Sequence, residues 1–131
     1  MRFICRDPEI AKRCGTESTV NGGPNQVELF LDPRGDNPYY QFMVTNTSGA
    51  MYKAKAFTLI PDFPSRTETK VTDEYWQVDM VFPFAGFGLK TPKKGSSWLI
   101  VAMIHDKGWQ SASFPVTAYH DMPSGAELVF E

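Results

Sequence analysis

Residues 76–82 read Trp-Gln-Val-Asp-Met-Val-Phe, with a large apolar side chain at positions 76, 78, 80 and 82. Because successive side chains of a strand point to opposite faces, this spacing predicts a strand with one buried face. Residues 98–104, Trp-Leu-Ile-Val-Ala-Met-Ile, are apolar at every position. That pattern is typical of a strand in the middle of a sheet that is covered above and below. Both segments indicate an all-β protein.

Other short segments with a strand pattern are separated by turns rich in Gly, Pro, Asn and Asp. The polar segment 66–72 has the character of an exposed edge strand. Only residues 7–13 have a helical pattern, because Asp7 can cap a helix and Pro8 suits its first turn. We therefore predict an antiparallel two-sheet β-sandwich with one short helix. The remaining predicted strands are residues 27–31, 40–45, 50–59 and 128–130, and the chain begins in a strand at residues 1–6.

The composition fits one globular domain and argues against several classes of protein. The 131 residues, 42% of them hydrophobic, suffice for a single core. A net charge of −2 without a basic stripe makes a nucleic-acid partner unexpected. The longest apolar run, residues 98–104, is too short to span a membrane. Aromatic residues make up 14% of the chain, so some rings remain available for a surface platform after the core is filled.

Cys5 and Cys14 are nine positions apart, a spacing that matches no zinc or redox motif. Two unpaired, partly buried thiols are one interpretation, and a disulfide in an exported protein is the other. The charged residues 1–6 lack the apolar segment of a secretory signal. Because the chain starts inside a predicted strand, we expect it to be part of a longer, extracellular or cell-surface polypeptide.

Four stretches, taken in order, resemble family 9 carbohydrate-binding modules and their wider DOMON-like relatives. The resemblance covers residues 26–131 and implies a single non-catalytic, sugar-binding β-sandwich that serves a larger protein. Members of the family usually carry strands before the segment matched by residues 1–6. Their absence implies an exposed sheet edge through which the chain could self-associate. The four stretches are residues 27–33, ending in Leu-Asp-Pro; 39–46; 76–84, ending in Phe-Pro-Phe; and 95–98 with 119–123 and 128–130.

A candidate sugar site lies at residues 105–110, His-Asp-Lys-Gly-Trp-Gln. Sugar recognition needs a flat apolar surface beside planar polar groups. Trp109 follows a glycine in a predicted loop, and Tyr119 lies in the loop before the last strand. We predict that these two rings stack on a polysaccharide; in the other interpretation Trp109 only covers the end of the core. The predicted hydrogen-bonding side chains are His105, Asp106, Lys107, Gln110 and His120.

Other chemistries find less support in the sequence. We do not expect an enzyme, because Glu28, Glu68, Glu74 and Asp79 lie in no glycosidase-like motif and no nucleophile elbow or phosphate loop is present. We expect no cofactor, although the turn at residues 32–36 could offer oxygens to a structural calcium ion. An ordinary Asp-rich turn is the alternative interpretation. The repeated His-Asp dipeptides at residues 105–106 and 120–121 match no metal-ligand spacing.

Two alternative functions are compatible with the sequence. The first is a structural or protein-interaction module that binds no sugar. The second is a haem-binding DOMON-like domain, which the resemblance suggests because some of these relatives hold haem through Met and His. Its candidate ligands are Met80, Met103, His105 and His120.

Overall fold

The computed structural model describes residues 1–6, 26–35, 38–45, 51–106, 110–115 and 122–131. Within these ranges ten strands form two antiparallel sheets that share one core. The prediction of an all-β, two-sheet β-sandwich is confirmed. The predicted helix at residues 7–13 lies outside the described residues. No helix in the described ranges is long and apolar enough to cross a membrane.

The smaller sheet has three strands and the larger sheet has seven. In chain order the strands are β1 Arg2–Cys5, β2 Gln26–Asp32, β3 Tyr40–Thr45, β4 Met51–Lys55, β5 Thr58–Leu59, β6 Arg66–Val71, β7 Trp76–Val81, β8 Ser97–Asp106, β9 Gln110–Phe114 and β10 Ala126–Val129. The smaller sheet has the order β1-β7-β6. The larger sheet has the order β10-β8-β2-β3-β4-β5, with β9 also paired to β8. Two 3₁₀ turns cover Phe84–Phe87 and Met122–Ser124.

The strongest sequence patterns correspond to the expected strands. In β7, Trp76, Val78 and Met80 are completely buried, whereas Val81 is 47% exposed. The apolar segment 98–104 lies in β8, which pairs with β2 on one side and with β9 and β10 on the other. The polar segment 66–72 forms β6 at an edge of the smaller sheet. These predictions are confirmed.

The prediction of one continuous strand at residues 50–59 is wrong, because a tight turn divides it into β4 and β5. Ala56 and Phe57, the two residues of the turn, have φ angles of 46° and 66°. Two-residue hairpin turns need such angles and usually obtain them from Asn or Gly. Neither residue carries that signal, so the turn is invisible in the sequence. A conformation of this kind costs a non-glycine residue about 1–2 kcal/mol.

Aromatic rings fill the space between the two sheets. Phe42 of β3 lies 4.4 Å from Phe82 and 5.1 Å from Phe63, measured between ring centroids. Phe87 approaches Tyr40 at 4.8 Å and Trp98 at 5.0 Å, in each case edge to face. Such contacts join both sheets and the Phe84–Phe87 turn into one core. Tilted and edge-to-face pairs of this kind add stability beyond the apolar area that they bury.

Replacing Phe42 by Ala tests the importance of this core. Because Phe42 is completely buried among other rings, we expect Phe42→Ala to lower the free energy of unfolding by about 3–5 kcal/mol. Urea unfolding followed by circular dichroism measures the loss. The control is Val81→Thr on the exposed face of β7, which should change the free energy by less than about 0.5 kcal/mol. A similar loss in both variants would contradict this account.

Cys5 is a free, buried thiol at the end of β1, and Cys14 lies outside the described residues. Burial raises the pKa of the Cys5 thiol from its ordinary value of 9.0 to about 11. The folded chain therefore disfavours the thiolate, which is the form that reacts with electrophiles. Because the pKa of Cys5 is higher in the folded chain than in the unfolded chain, the protonated thiol contributes to the free energy of unfolding. This contribution is fully present below pH 9 and is lost as the pH rises through 11.

We expect Cys5 to resist alkylation by iodoacetamide between pH 7 and 9 in the folded chain and to react rapidly in urea. Site-resolved mass spectrometry of the peptide that contains Cys5 separates its labelling from that of Cys14. Equal labelling rates with and without urea would show that the thiol is accessible after all.

Candidate functional site

Polar side chains are buried on the face of the larger sheet that points away from the core. We call Gln26, Glu28, Gln41 and His105 the outer-face cluster. The register places Gln26 opposite His105, and Glu28 between Met43 and Met103. All four cluster residues are buried, with Glu28 at 0% and His105 at 4% exposure. The alternation of apolar and polar residues along β2 is typical of a strand with one face in water, but the structure buries Glu28 as well.

Glu28 is the centre of the outer-face cluster. Gln41 Nε2 donates a hydrogen bond to Glu28 Oε1, and His105 Nε2 lies 2.7 Å from Glu28 Oε2. Among the residues that the structure describes, Gln26 Oε1 is buried without a hydrogen-bond partner. These contacts tie the side chains of β2, β3 and β8 together across the sheet. Because a one-residue slip of any strand would move its polar group to the other face, the cluster fixes the strand register.

The outer-face cluster has the properties of a structural network. Next to it the same face is apolar, with Phe30, Tyr39, Val101 and Met122 packed together. A buried pair such as Glu28–His105 contributes little net stability over an apolar replacement, but removing one partner leaves the other polar group uncompensated. The cluster is therefore best understood as a determinant of the fold.

A second arrangement, the end pocket, lies where β2 ends, β3 begins and β4 ends. Its volume is about 100 Å³. Pockets that enclose a drug-sized ligand have roughly 300–1,000 Å³, so the end pocket can hold only one edge or one substituent of a sugar. Its lining residues are Asp32, Pro33, Arg34, Pro38, Tyr40, Lys55 and Phe87.

Asp32 builds the wall of the end pocket by holding a turn. Its Oδ1 atom accepts hydrogen bonds from the backbone N–H of Arg34 at 3.1 Å and of Gly35 at 2.9 Å. Gly35 has a φ of 67°, a conformation that glycine adopts without strain. This geometry supports the ordinary-turn interpretation of residues 32–36. Asp36 lies outside the described residues, among which no group of three or more His, Cys, Asp or Glu could hold a metal ion.

The floor of the end pocket combines aromatic and cationic groups. Tyr40 and Phe87 provide the rings, and Lys55 Nζ lies 4.9 Å above the centroid of the Tyr40 ring. Arg34 projects from the exposed turn. At the same end of the larger sheet, the turn between β4 and β5 presents Phe57, whose ring is 69% exposed and contacts the edge of Tyr39. The exposed position of Phe57 was not predicted, because residues 50–59 have the pattern of one continuous strand.

The residues predicted to bind sugar are only partly described. His105 and Asp106 end β8 and Gln110 begins β9, so the prediction that they lie in a loop is wrong. His105 is buried against Glu28. Nothing is described of the Asp106 and Gln110 side chains. The other four residues of the predicted site lie outside the described residues: Lys107, Trp109, Tyr119 and His120.

The candidate haem ligands do not come together in the part that is described. Met80 is buried in the core between the sheets, whereas Met103 and His105 lie on the outer face of β8. The latter two are adjacent on one face of one strand, so they cannot approach a haem from opposite sides.

The carboxylates of Glu28 and Asp79 are also separated, because each alternates with core residues and points outward from a different sheet. These two groups do not face each other across a cleft.

Removing the Glu28 side chain tests the structural role of the outer-face cluster. We expect Glu28→Ala to lower the free energy of unfolding by about 3–5 kcal/mol, because it leaves Gln41 and His105 buried without their acceptor. The matched control is Asp79→Ala, which removes an ion pair with Arg2 at the surface. It should shift the midpoint of urea unfolding far less. Losses of equal size would argue against a structural role for the cluster.

Comparison with protein-family models, with curated proteins and with solved structures found no match to this chain. The functional inference therefore depends on the end pocket and on the residues around it.

Proposed function

We propose that this chain is a non-catalytic carbohydrate-binding module and that the end pocket with Phe57 is its sugar site. One observation carries the proposal: exposed aromatic surface and hydrogen-bond donors occur together at one end of the larger sheet. The same function was the expectation from the sequence of residues 26–131. In this proposal the module serves a larger extracellular protein.

The chemistry of a sugar matches the two halves of this site. A pyranose ring has an apolar C–H face that can stack on Phe57, and hydroxyl groups that Arg34 and Lys55 can bind. The Tyr40 ring is not the stacking surface, because Lys55 lies over it. Ala56 and Phe57 keep a strained turn that glycine would relax. Strain of this kind is often retained where the side chain is needed for function.

Replacing Phe57 by Gly separates binding from stability. Because glycine adopts positive φ angles freely, we expect Phe57→Gly to keep or raise the melting temperature. The loss of the ring should abolish most of the retention in affinity electrophoresis against soluble glucans, xylans, mannans and galacturonans. The matched control is Phe114→Ala, which removes a 67% exposed ring at the other side of the larger sheet and should leave retention intact.

A third variant, Trp109→Ala, tests the site predicted between β8 and β9. The end of β8 lies at the opposite end of β2 from the end pocket, because Gln26 pairs with His105 and Asp32 pairs with Leu99. Loss of retention in Trp109→Ala alone would place the sugar there and contradict the end pocket. Lack of retention of the unmodified chain on every polysaccharide would contradict carbohydrate binding altogether.

A protein-interaction module without a sugar ligand is the second candidate. The observation that favours it is that two large apolar side chains, Ile4 and Val81, are each 47% exposed on the outer face of the smaller sheet. In this second candidate function, a partner protein covers this face and buries both side chains.

A further inference from the structure

We infer that the end pocket is selective for an acidic sugar and that it binds the carboxylate of a uronic acid residue within a polysaccharide. This inference rests on the proposed function and adds the class of ligand. It is argued from the charges of the lining residues, from their partners and from the size of the pocket.

Positive charge dominates the end pocket. Its charged lining residues are Arg34, Lys55 and Asp32. The Asp32 carboxylate is committed to the turn, because one of its oxygens accepts two backbone N–H groups. Neither Arg34 nor Lys55 forms an ion pair with a carboxylate in the part of the chain that is described. The three charged side chains therefore leave the pocket with an excess of one positive charge, and both cations can contact a ligand.

The two cations have complementary geometries. Arg34 carries a planar guanidinium that can bind both oxygens of a carboxylate at once. Lys55 Nζ lies over the Tyr40 ring at 4.9 Å, a cation–π contact that holds the ammonium at the pocket. Because such a contact is weak at a partly exposed site, an arriving carboxylate can take up the ammonium at little cost.

The size of the pocket selects which part of the sugar enters. A volume of about 100 Å³ admits a carboxylate with its neighbouring ring atoms but not a whole sugar residue. Phe57 does not line the pocket, because its ring contacts Tyr39 on the outer face of the larger sheet. In this inference the pocket binds the acidic substituent, and Phe57 supports a neighbouring sugar residue at the same end of the sheet. The chain as a whole has a net charge of −2 and does not attract polyanions in general. Selectivity for an acidic sugar must therefore come from this local group of cations.

Isothermal titration calorimetry with paired ligands tests the inference. Each acidic oligosaccharide (from galacturonan, alginate and glucuronoxylan) is compared with its methyl ester, which keeps the backbone and removes the charge. We expect at least one acid form to bind and its ester to bind about tenfold more weakly or worse. Arg34→Gln and Lys55→Gln should each weaken binding of the acid form by about tenfold and change binding of the ester little.

Lys70→Gln is the matched control, because Lys70 also lies over a tyrosine ring, that of Tyr75, but on the smaller sheet. It should leave the affinity unchanged, and an equal loss in this variant would show unspecific attraction and overturn the inference. Equal affinity for the acid and for its ester would also overturn the inference, and so would a sulfated glucan that binds as tightly as the acid. In both cases the proposed function would stand. Binding to no saccharide of either kind would overturn both.

Discussion

The aromatic rings between the two sheets are the contact on which the rest of the structure depends. Tyr40 belongs to this core through its edge-to-face contact with Phe87, and it is also part of the floor of the end pocket. The position of Lys55 follows from that ring, since its ammonium lies over Tyr40. A core of interlocking rings is stiff because close-packed side chains have few alternative arrangements. The floor of the proposed binding site is therefore part of this close-packed core.

The larger sheet differs from a typical sandwich sheet because both faces of its strands β2 and β3 are buried. Antiparallel sheets usually leave one face in water, and their strands then alternate between apolar and polar residues. In β2 the alternation persists, with Glu28 between Val27 and Leu29, yet all three side chains are completely buried. Glu28 can be accommodated there because Gln41 and His105 satisfy its carboxylate. On this second face, hydrogen bonds between polar side chains thus take the place of hydrogen bonds to water.

The sequence predicted those features that depend on one strand at a time. The alternation in residues 76–82 and the apolar run in residues 98–104 each specified a strand and its burial. The strand β9 was missed, because Gln-Ser-Ala-Ser-Phe has few of the β-branched residues that favour a strand. The burial of His105 was missed as well, because it depends on a partner 77 positions away. A signal for a buried polar cluster was available in the sequence. It consists of Gln26 and Glu28 at alternate positions of one strand and Gln41 in the next strand.

The end pocket was harder to predict because it assembles side chains from separate turns and strands. Asp32 and Arg34 were noted as parts of a turn, and Tyr40 as part of a strand, but nothing in the sequence brings Lys55 to them. The pairing of Tyr40 with Lys55 follows from the hairpin at Ala56 and Phe57. That hairpin carries none of the usual turn residues.

The borders of the larger sheet influence how copies of this chain can meet. In the described residues, one border is the two-residue strand β5, and the other is divided between β9 and β10, which pair with different halves of β8. Short and interrupted border strands offer too few aligned N–H and C=O groups for a neighbouring molecule to extend the sheet. The larger sheet is thus protected against fibre-like stacking of its strands.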